Sequence, residues 1–470
     1  GIVIRMMSTV EKCATIAKFF GFDDIVNSVI DITSHMTTLT GLKKQKVLVP
    51  TDEEISSVKL KVKQQDKPIT VSQLSVTFGR DFKSQVGLIT LVHVLKRSGY
   101  NVSPEWKHAL QCLFELFKYD LVNPNSFPEF QGRLDLEPLR APKPDYVLNE
   151  NKISNEGGLL STFSSYFKGL SDDTPEPTEE EIECTLSTLE CINSSGLSNL
   201  LRNISKTESS NIDAMVELLL DYLPDEKSSK VDEYIEQRSL YILETCVCYL
   251  LLSQNQKLIS VELEKCQLLT RSELGFSTKS LVRVMTYELL LLHNGNLEHD
   301  SYLAGTLEQL VSLINKNKER TVQIGGVLLQ PLQVLLLSPD CWCRDRLLHN
   351  TNYWFVFRCF ASSPKNTARV YDFIEEVILE QHDLIKYKNY MDILGLLDEI
   401  SAVGAYGAQW EQELDKLISK GVDVSQKKNP FEKLVGTSLK SISLTGKLGR
   451  ILKTDEFQVS IKEVTPEHDK

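Results

Sequence analysis

The chain has 470 residues, 41% hydrophobic and 25% charged, too many for one ordinary core and too apolar for a disordered chain. Its formal net charge of -12 argues against nucleic acid as the main partner, since phosphate binding needs clustered Lys and Arg. Any membrane contact would have to rest on apolar insertion rather than bulk charge.

The first ten residues, GIVIRMMSTV, lack the charged and long apolar regions of a secretory signal. They do not begin with Met, which suggests a piece of a longer chain. Residues 23–38 show helical spacing, with Ile25, Val29, Ile32 and Met36 on one stripe behind the first-turn acids Asp23 and Asp24. Residues 43–73 are charged and contain proline, so they read as a long loop. Val58–Val62 alternates within it but is rich in Lys. Residues 103–121 open with Ser103 as N-cap and Pro104 at the first helical position, followed by a face of Trp106, Leu110, Leu113 and Phe117. Residues 139–183, richer in Pro, Gly, Ser and acid, read as an exposed linker that ends in Asp172–Glu181.

Beyond the linker, helical stripes recur at Leu240/Leu243/Val247/Leu250, Leu281/Met285/Leu289/Leu292, Leu303/Leu307/Leu310/Ile314 and Val370/Phe373/Ile374/Val377. The most apolar runs, Leu240–Leu252 and Val327–Leu337, fall short of the ~20 residues of a bilayer span, and Glu244, Gln330, Pro331 and Gln333 interrupt them. Trp106 and Trp410 stand at helical spacing with apolar neighbours and read as core anchors. After about Gly421 the chain is polar and weakly periodic, which predicts loop or disorder. Helices of this length joined by short loops predict an all-α fold, an irregular HEAT/armadillo-like helical-pair solenoid with no sheet of three or more strands. No repeat has a fixed period.

Motifs for chemistry are missing from the sequence. There is no GxxxxGK[ST], no GxGxxG after a strand, no HExxH and no GxSxG. Ten cysteines are scattered, most inside apolar helical stretches, where reduced core thiols are expected. Cys341-Trp-Cys343 with His349 fits no standard zinc spacing, and Cys246/Cys248 and Cys184/Cys191 read as core. The histidines do not pair at ligand spacing, and His293 reads as a cation at a helix C-terminus. Asn101, Asn193 and Asn203 begin Asn-x-Ser triplets, expected to be unmodified in the absence of a signal. No catalytic residue, cofactor or metal is expected.

One segment is different. Gly157–Leu170 reads GGLLSTFSSYFKGL. As a helix it sets Leu159, Leu160, Phe163, Tyr166, Phe167 and Leu170 on one face, opposite Ser161, Thr162, Ser164, Ser165 and the single charge of Lys168. A helix buried against its own domain usually carries more charge on its wet side. Bulky apolar residues opposite Ser and Thr point to a helix lying in a membrane interface and sensing lipid packing. Docking into a groove of a neighbouring helical unit remains open as the other reading.

Cys13-Ala-Thr-Ile-Ala17, Phe20-Gly-Phe-Asp-Asp24, Ile30 and Thr37-Thr-Leu39 resemble the region after the exchange domain of the large Arf guanine-nucleotide exchange factors. So do Phe78-Gly79, Leu91 to Gly99, Trp106, Leu110, Leu113 and Leu121-Val-Asn-Pro124. Leu159–Phe167 is similar to the family's apolar-serine segment, and Leu394-Gly-Leu-Leu-Asp398 with Trp410–Glu413 to the entry of a third downstream homology region. The Golgi-type branch (Gea-, GBF- and GNOM-like) fits best, above all its fungal members. The resemblance runs over residues 4–420 and is specific in the first 170.

The resemblance implies a first downstream homology region at 1–138, a linker with the amphipathic segment at 139–183, a second region at 184–380, and the start of a third with a flexible tail at 381–470. It implies a regulatory and membrane-targeting segment, cytosolic and peripheral on Golgi membranes. The implied partners are Golgi lipids and, through the parent protein, Arf-family and Rab GTPases, with homodimerisation through parts outside this stretch. The family's Leu-Pro-Gly-Glu-type loop with its catalytic glutamate is not in the sequence, so no catalytic residue carries over. An unrelated helical-repeat adaptor or transport receptor is the alternative.

Overall fold

The computed structural model describes residues 1–40, 58–60, 69–124, 127, 136–142, 177–225, 228, 230–271, 273–296, 301–427, 429, 432 and 434–464. The chain forms two compact units, one of residues 1–133 and 137–258, the other of 134–136 and 259–470. Nineteen α-helices lie among the described residues, with a single two-stranded ribbon.

In the first unit, α1 (Ile2–Phe19) and α2 (Asp23–Met36) meet at Gly21, whose φ is +74°. The Phe22 N–H donates to the Ala17 carbonyl and the Gly21 N–H to that of Lys18, a left-handed helix end that glycine adopts without a Cβ penalty. α2 packs on α4 (Phe82–Arg97) through Val26, Ile30 and Thr33, whereas Ile25 and Ile32 of the expected stripe are exposed at 49% and 59%. The inner face is rotated from that expectation because Thr33 and Thr37 belong to it. Their hydroxyls donate to the Val29 carbonyl at 2.7 Å and the Ser34 carbonyl at 2.6 Å, which satisfies the polar atom and leaves the β-branched body free to pack.

The stretch read as a loop over 43–73 contains β1 (Val58–Leu60) and β2 (Ile69–Val71), antiparallel with Val58 opposite Val71. Ile69 and Val71 form a small core with Val76 and Ile182, and this burial stabilises β2 despite its charged surroundings. α3 (Gln73–Arg80) begins at once, with a capping box between Ser72 and Ser75. It lies against α6 (Glu179–Ser195) so closely that a Cβ on Gly79 would overlap the Cys184 carbonyl. Thr188 donates to the Ser75 carbonyl at 2.6 Å, and the Ser75 and Thr185 hydroxyls share a 2.7 Å hydrogen bond.

α6 starts inside the acidic stretch read as linker. Thr178 Oγ1 accepts from the Glu181 N–H, and Glu181 Oε2 accepts from the Thr178 N–H, the reciprocal cap that marks a helix start. α5 (Trp106–Lys118) buries Trp106, Leu110, Leu113 and Phe117 as expected, but it begins at Trp106 after a turn over Pro104 and Glu105. The short α7 (Leu200–Ile204), α8 (Ser209–Leu220) and α9 (Glu233–Ser253) complete the unit. Leu240–Leu251 of α9 is buried throughout, and Tyr249 Oη donates to the Leu201 carbonyl at 2.6 Å.

α10 (Gln256–Arg271) crosses the boundary between the units. The second unit continues with α11 (Thr278–Asn294), α12 (Ser301–Lys316), α13 (Thr321–Leu337), α14 (Arg344–Leu348), α15 (Thr351–Ala361), α16 (Pro364–Leu379), α17 (Tyr387–Ser419), α18 (Leu434–Ile451) and α19 (Asp455–Val464). Contacts run α11 to α13 to α16 to α18 in one layer and α12 to α15 to α17 in the other, with α15 also against α16 and α17 against α18. This is the two-layer helical-pair stack the sequence predicts. α13 is apolar enough by composition to cross a membrane, but Leu328, Leu329, Leu332, Leu335 and Leu336 are fully enclosed within the unit.

Two expectations fail in this unit. The stretch after Gly421 is not loop alone, since it holds α18 and α19. α18 buries Leu434, Ser438, Ser441, Leu444, Leu448 and Ile451, so small Ser residues hide its periodicity. Ser438 and Ser441 donate to the carbonyls of Ile400 and Leu397 at 3.2 and 2.8 Å, which pays the cost of burying them. Trp410 is half-exposed rather than a core anchor. The fully buried large apolar side chains of α17 are Ile393, Leu396, Leu397, Ile400 and Val403, none of them beyond Val403.

Candidate functional site

The six residues of the expected membrane-facing stripe, Leu159, Leu160, Phe163, Tyr166, Phe167 and Leu170, lie outside the described residues. Most of the described cysteines pack into structure. All ten cysteines are free thiols and seven are buried. Cys246 and Cys248 sit in the core of α9, and Cys191 is buried on α6 beside half-buried Cys184.

Cys341 and Cys343 occupy the turn before α14 with their sulfurs 3.4 Å apart. The hydrogen bond from Cys343, assisted by the Arg344 charge, lowers Cys341 to about 7, while the same contact and burial push Cys343 well up. Burial and the Lys388 charge hold His349 below its usual value. Among the described residues no three His, Cys, Asp or Glu side chains are gathered to hold a metal ion.

The fold brings together histidines that the sequence keeps apart. His35 of α2 and His108 of α5 both reach Asp31 Oδ1, at 3.3 and 3.1 Å, with ring centroids 5.4 Å apart. His93 and Arg97 of α4 share Glu11 of α1 at 3.0 and 3.1 Å. These pairs are partly exposed and contribute little each; they link α1 to α4 and α2 to α5. His293, in the last turn of α11, meets Ser338 Oγ at 3.0 Å.

In the second unit, Glu262 and Glu288 are fully buried. Among the described residues neither carboxyl oxygen of Glu262 has a hydrogen-bond partner, and burial pushes its acid well above the usual range. Glu288 Oε2 accepts from Thr306 Oγ1 at 2.7 Å, and burial outweighs that bond and the Arg271 charge to raise the group to about 8. At neutral pH Glu288 is therefore mainly a neutral acid, and burial disfavours the charged form of Glu262 in the same way.

An exposed apolar rim on α1 and α2 escapes the sequence reading. Phe19 is 84% exposed, Phe20 63% and Phe22 55%, and Ile16, Ile25 and Ile32 extend the patch. The rings touch each other, Phe19 edge-on to Phe20 at 5.2 Å and Phe20 stacked with Phe22 at 6.1 Å. Aromatic residues crowding the glycine turn Phe19-Phe20-Gly21-Phe22 are the signal that was there to be read. An uncovered patch of this kind marks a contact surface rather than a reaction centre.

No protein-family model matches the chain. The chain is 31% identical over 475 residues to ARF guanine-nucleotide exchange factor 2 of Saccharomyces cerevisiae, covering 95% of this chain and 30% of that protein. It is 28% identical over 456 residues to ARF guanine-nucleotide exchange factor 1 of the same yeast, again 95% of this chain and 31% of that protein. A shorter match, 22% identical over 38% of the chain and 9% of the relative, is to the Golgi-specific brefeldin A-resistance guanine nucleotide exchange factor 1 homolog of Caenorhabditis elegans. The chain therefore spans about a third of the length of the curated yeast relatives it matches.

Proposed function

We propose, from its kinship with the Arf guanine-nucleotide exchange factors along 95% of its length, that this chain is a regulatory and membrane-targeting segment of such a factor, acting in Golgi vesicle traffic without the exchange site itself. That near-complete alignment to two yeast factors is the observation that carries the reading. It is supported by the absence of a Leu-Pro-Gly-Glu sequence in the chain and by a helical stack in which seven of the ten thiols are buried and, among the described residues, no metal-binding cluster is gathered. On this reading the chain acts on the cytosolic face of Golgi membranes. Its parent protein loads Arf-family GTPases, answers to Rab GTPases and dimerises through parts outside this stretch.

The membrane contact is assigned to residues 157–170, with Leu159, Leu160, Phe163, Tyr166, Phe167 and Leu170 entering the lipid. The exposed Phe19, Phe20 and Phe22 offer apolar surface of the same kind in the first unit. Burying a large apolar side chain contributes ~1.5–3 kcal/mol, against an ordering cost of ~1–2 kcal/mol per residue. Binding is then weak and reversible, as a factor cycling between cytosol and membrane needs. With Lys168 the only charge in the segment, salt weakens it little. Liposome flotation of wild type against Phe163→Asp and Phe167→Asp tests the assignment, with loss of flotation expected. Folded variants that float like wild type would show that the segment docks on protein instead.

A further inference from the structure

The turn between α13 and α14 sets two thiols side by side. The Arg344 N–H donates to the Cys341 carbonyl at 3.1 Å, so Cys341-Trp-Cys343 lies in a β-turn with its sulfurs 3.4 Å apart. Cys246-Val-Cys248 has the same spacing inside α9, where side chains two residues apart project about 200° from one another. The turn, rather than the spacing, brings the first pair together. The same turn holds two helix ends. Trp342 Nε1 donates to the Leu292 carbonyl at 2.7 Å, and Arg344 Nε to the Leu336 carbonyl at 2.8 Å. Both carbonyls belong to the last turns of their helices, α11 and α13, where the helix itself supplies no partner. The Arg346 guanidinium stands 5.1 Å from the centre of the Trp342 ring.

The two thiols are not equivalent. Cys341 keeps 8% of its surface open to solvent and Cys343 none. A blander role for the pair is core packing, as for the other buried cysteines. Burial alone, however, holds Cys191 up at about 11, whereas the hydrogen bond from Cys343 and the Arg344 charge bring Cys341 down to about 7. About half of Cys341 is then thiolate at neutral pH, and the thiolate is the nucleophilic form. A solvent-reachable nucleophile with a second thiol 3.4 Å away is the arrangement of an attacking and a resolving cysteine.

We propose that Cys341 and Cys343 are a modification site, converted by hydrogen peroxide to a reversible disulfide that disturbs the Trp342 cap on α11. The Cys341 thiolate attacks one peroxide oxygen, so that an S–O bond forms and the O–O bond breaks. The departing hydroxide takes a proton and leaves as water. Cys343 then attacks the sulfenic sulfur of Cys341, so that the S–S bond forms and the S–O bond breaks. The Cys343 proton leaves with that oxygen as a second water. Two electrons and two protons have passed from the thiols to the peroxide. A small thiol reverses the reaction by exchange through a mixed disulfide. Bonding the sulfurs, 3.4 Å apart when reduced, tightens the turn around Trp342 and strains its bond to Leu292. The site is built from residues of the second unit and does not rest on the proposed membrane role of residues 157–170.

The test uses the whole chain, reduced, exposed to hydrogen peroxide at neutral pH and then alkylated after denaturation, with circular dichroism confirming that the chain is folded during exposure. Trypsin releases Thr321–Arg344, which contains Cys341 and Cys343 and no other cysteine. Mass spectrometry should find this peptide unalkylated and lighter by two hydrogens, and dithiothreitol should restore both alkylation sites. The pair should be lost to alkylation about tenfold or more faster than Cys246 and Cys248, since the thiolate is the reactive form. Cys343→Ser should leave Cys341 as a sulfenic acid that dimedone traps. Oxidation should also change the tryptophan emission of wild type, reversibly, and much less that of Trp342→Phe. A peptide that stays doubly alkylated, or is oxidised no faster than the α9 pair, overturns the proposal. A disulfide that leaves the emission unchanged overturns its coupling to Trp342. No readout involves lipid, so failure here and failure of the membrane assignment are separable.

Discussion

Single residues in this molecule trade polarity for position. Glu288 shows the cost most clearly, since among the described residues only Thr306 Oγ1 bonds its carboxyl, and burial raises the group to about 8 from a usual 4.5. A folded-state value above the unfolded one means the native state holds the proton more tightly. The stability this contributes is therefore complete below about pH 4.5 and declines as pH rises through 8. Glu288→Gln, which cannot ionise and can still accept from Thr306, should flatten that decline. Denaturant unfolding of both proteins across this range checks it, and parallel curves would mean that the carboxyl titrates as if exposed. The Thr33 and Thr37 hydroxyls show the cheaper solution, in which a side chain bonds to its own helix and packs as if apolar.

Helices here are defined by caps and close approaches as much as by apolar stripes. α6 begins at Glu179 because Thr178 and Glu181 cap each other, a pattern present in the sequence but overshadowed by the surrounding acidic and proline-rich composition. α18 is the clearest case, because its inner face carries Ser438 and Ser441 where a stripe would carry Leu. A Cβ on Gly404 would sit 3.1 Å from Ser438 Oγ, so little room remains between α17 and α18. Ser441→Ala should cost about 0.5–1.5 kcal/mol through the lost bond to Leu397. Ser441→Leu should cost about 1–3 kcal/mol through overpacking, despite its greater hydrophobicity. Urea midpoints of the two variants decide it, and stabilisation by leucine would show a loose, merely apolar interface.

For the whole molecule, the proposed role predicts that the purified chain does not accelerate nucleotide release from Arf, because no Leu-Pro-Gly-Glu sequence is present to disturb bound magnesium and phosphate. Release of a fluorescent GDP analogue, followed with and without the chain, checks this, and acceleration by the isolated chain would refute the assignment. The all-α class and the helical-pair stack of the second unit were legible in the sequence, since stripes such as Val370, Phe373, Ile374 and Val377 repeat at helical period and are buried. The relationship to the exchange factors was legible as well, through ordered residues such as Phe78-Gly79 and Trp106. The Gly79 position is explained by its closeness to Cys184, and Trp106 is fully buried. The candidate membrane segment was visible only as composition. What the sequence by itself determined was helical periodicity, which depends on neighbours three and four residues apart. What only the tertiary structure decided was which face turns inward on α2, that β2 pairs at all, and that α18 is a helix. Each of these depends on contacts between residues far apart along the chain, and no local pattern records them.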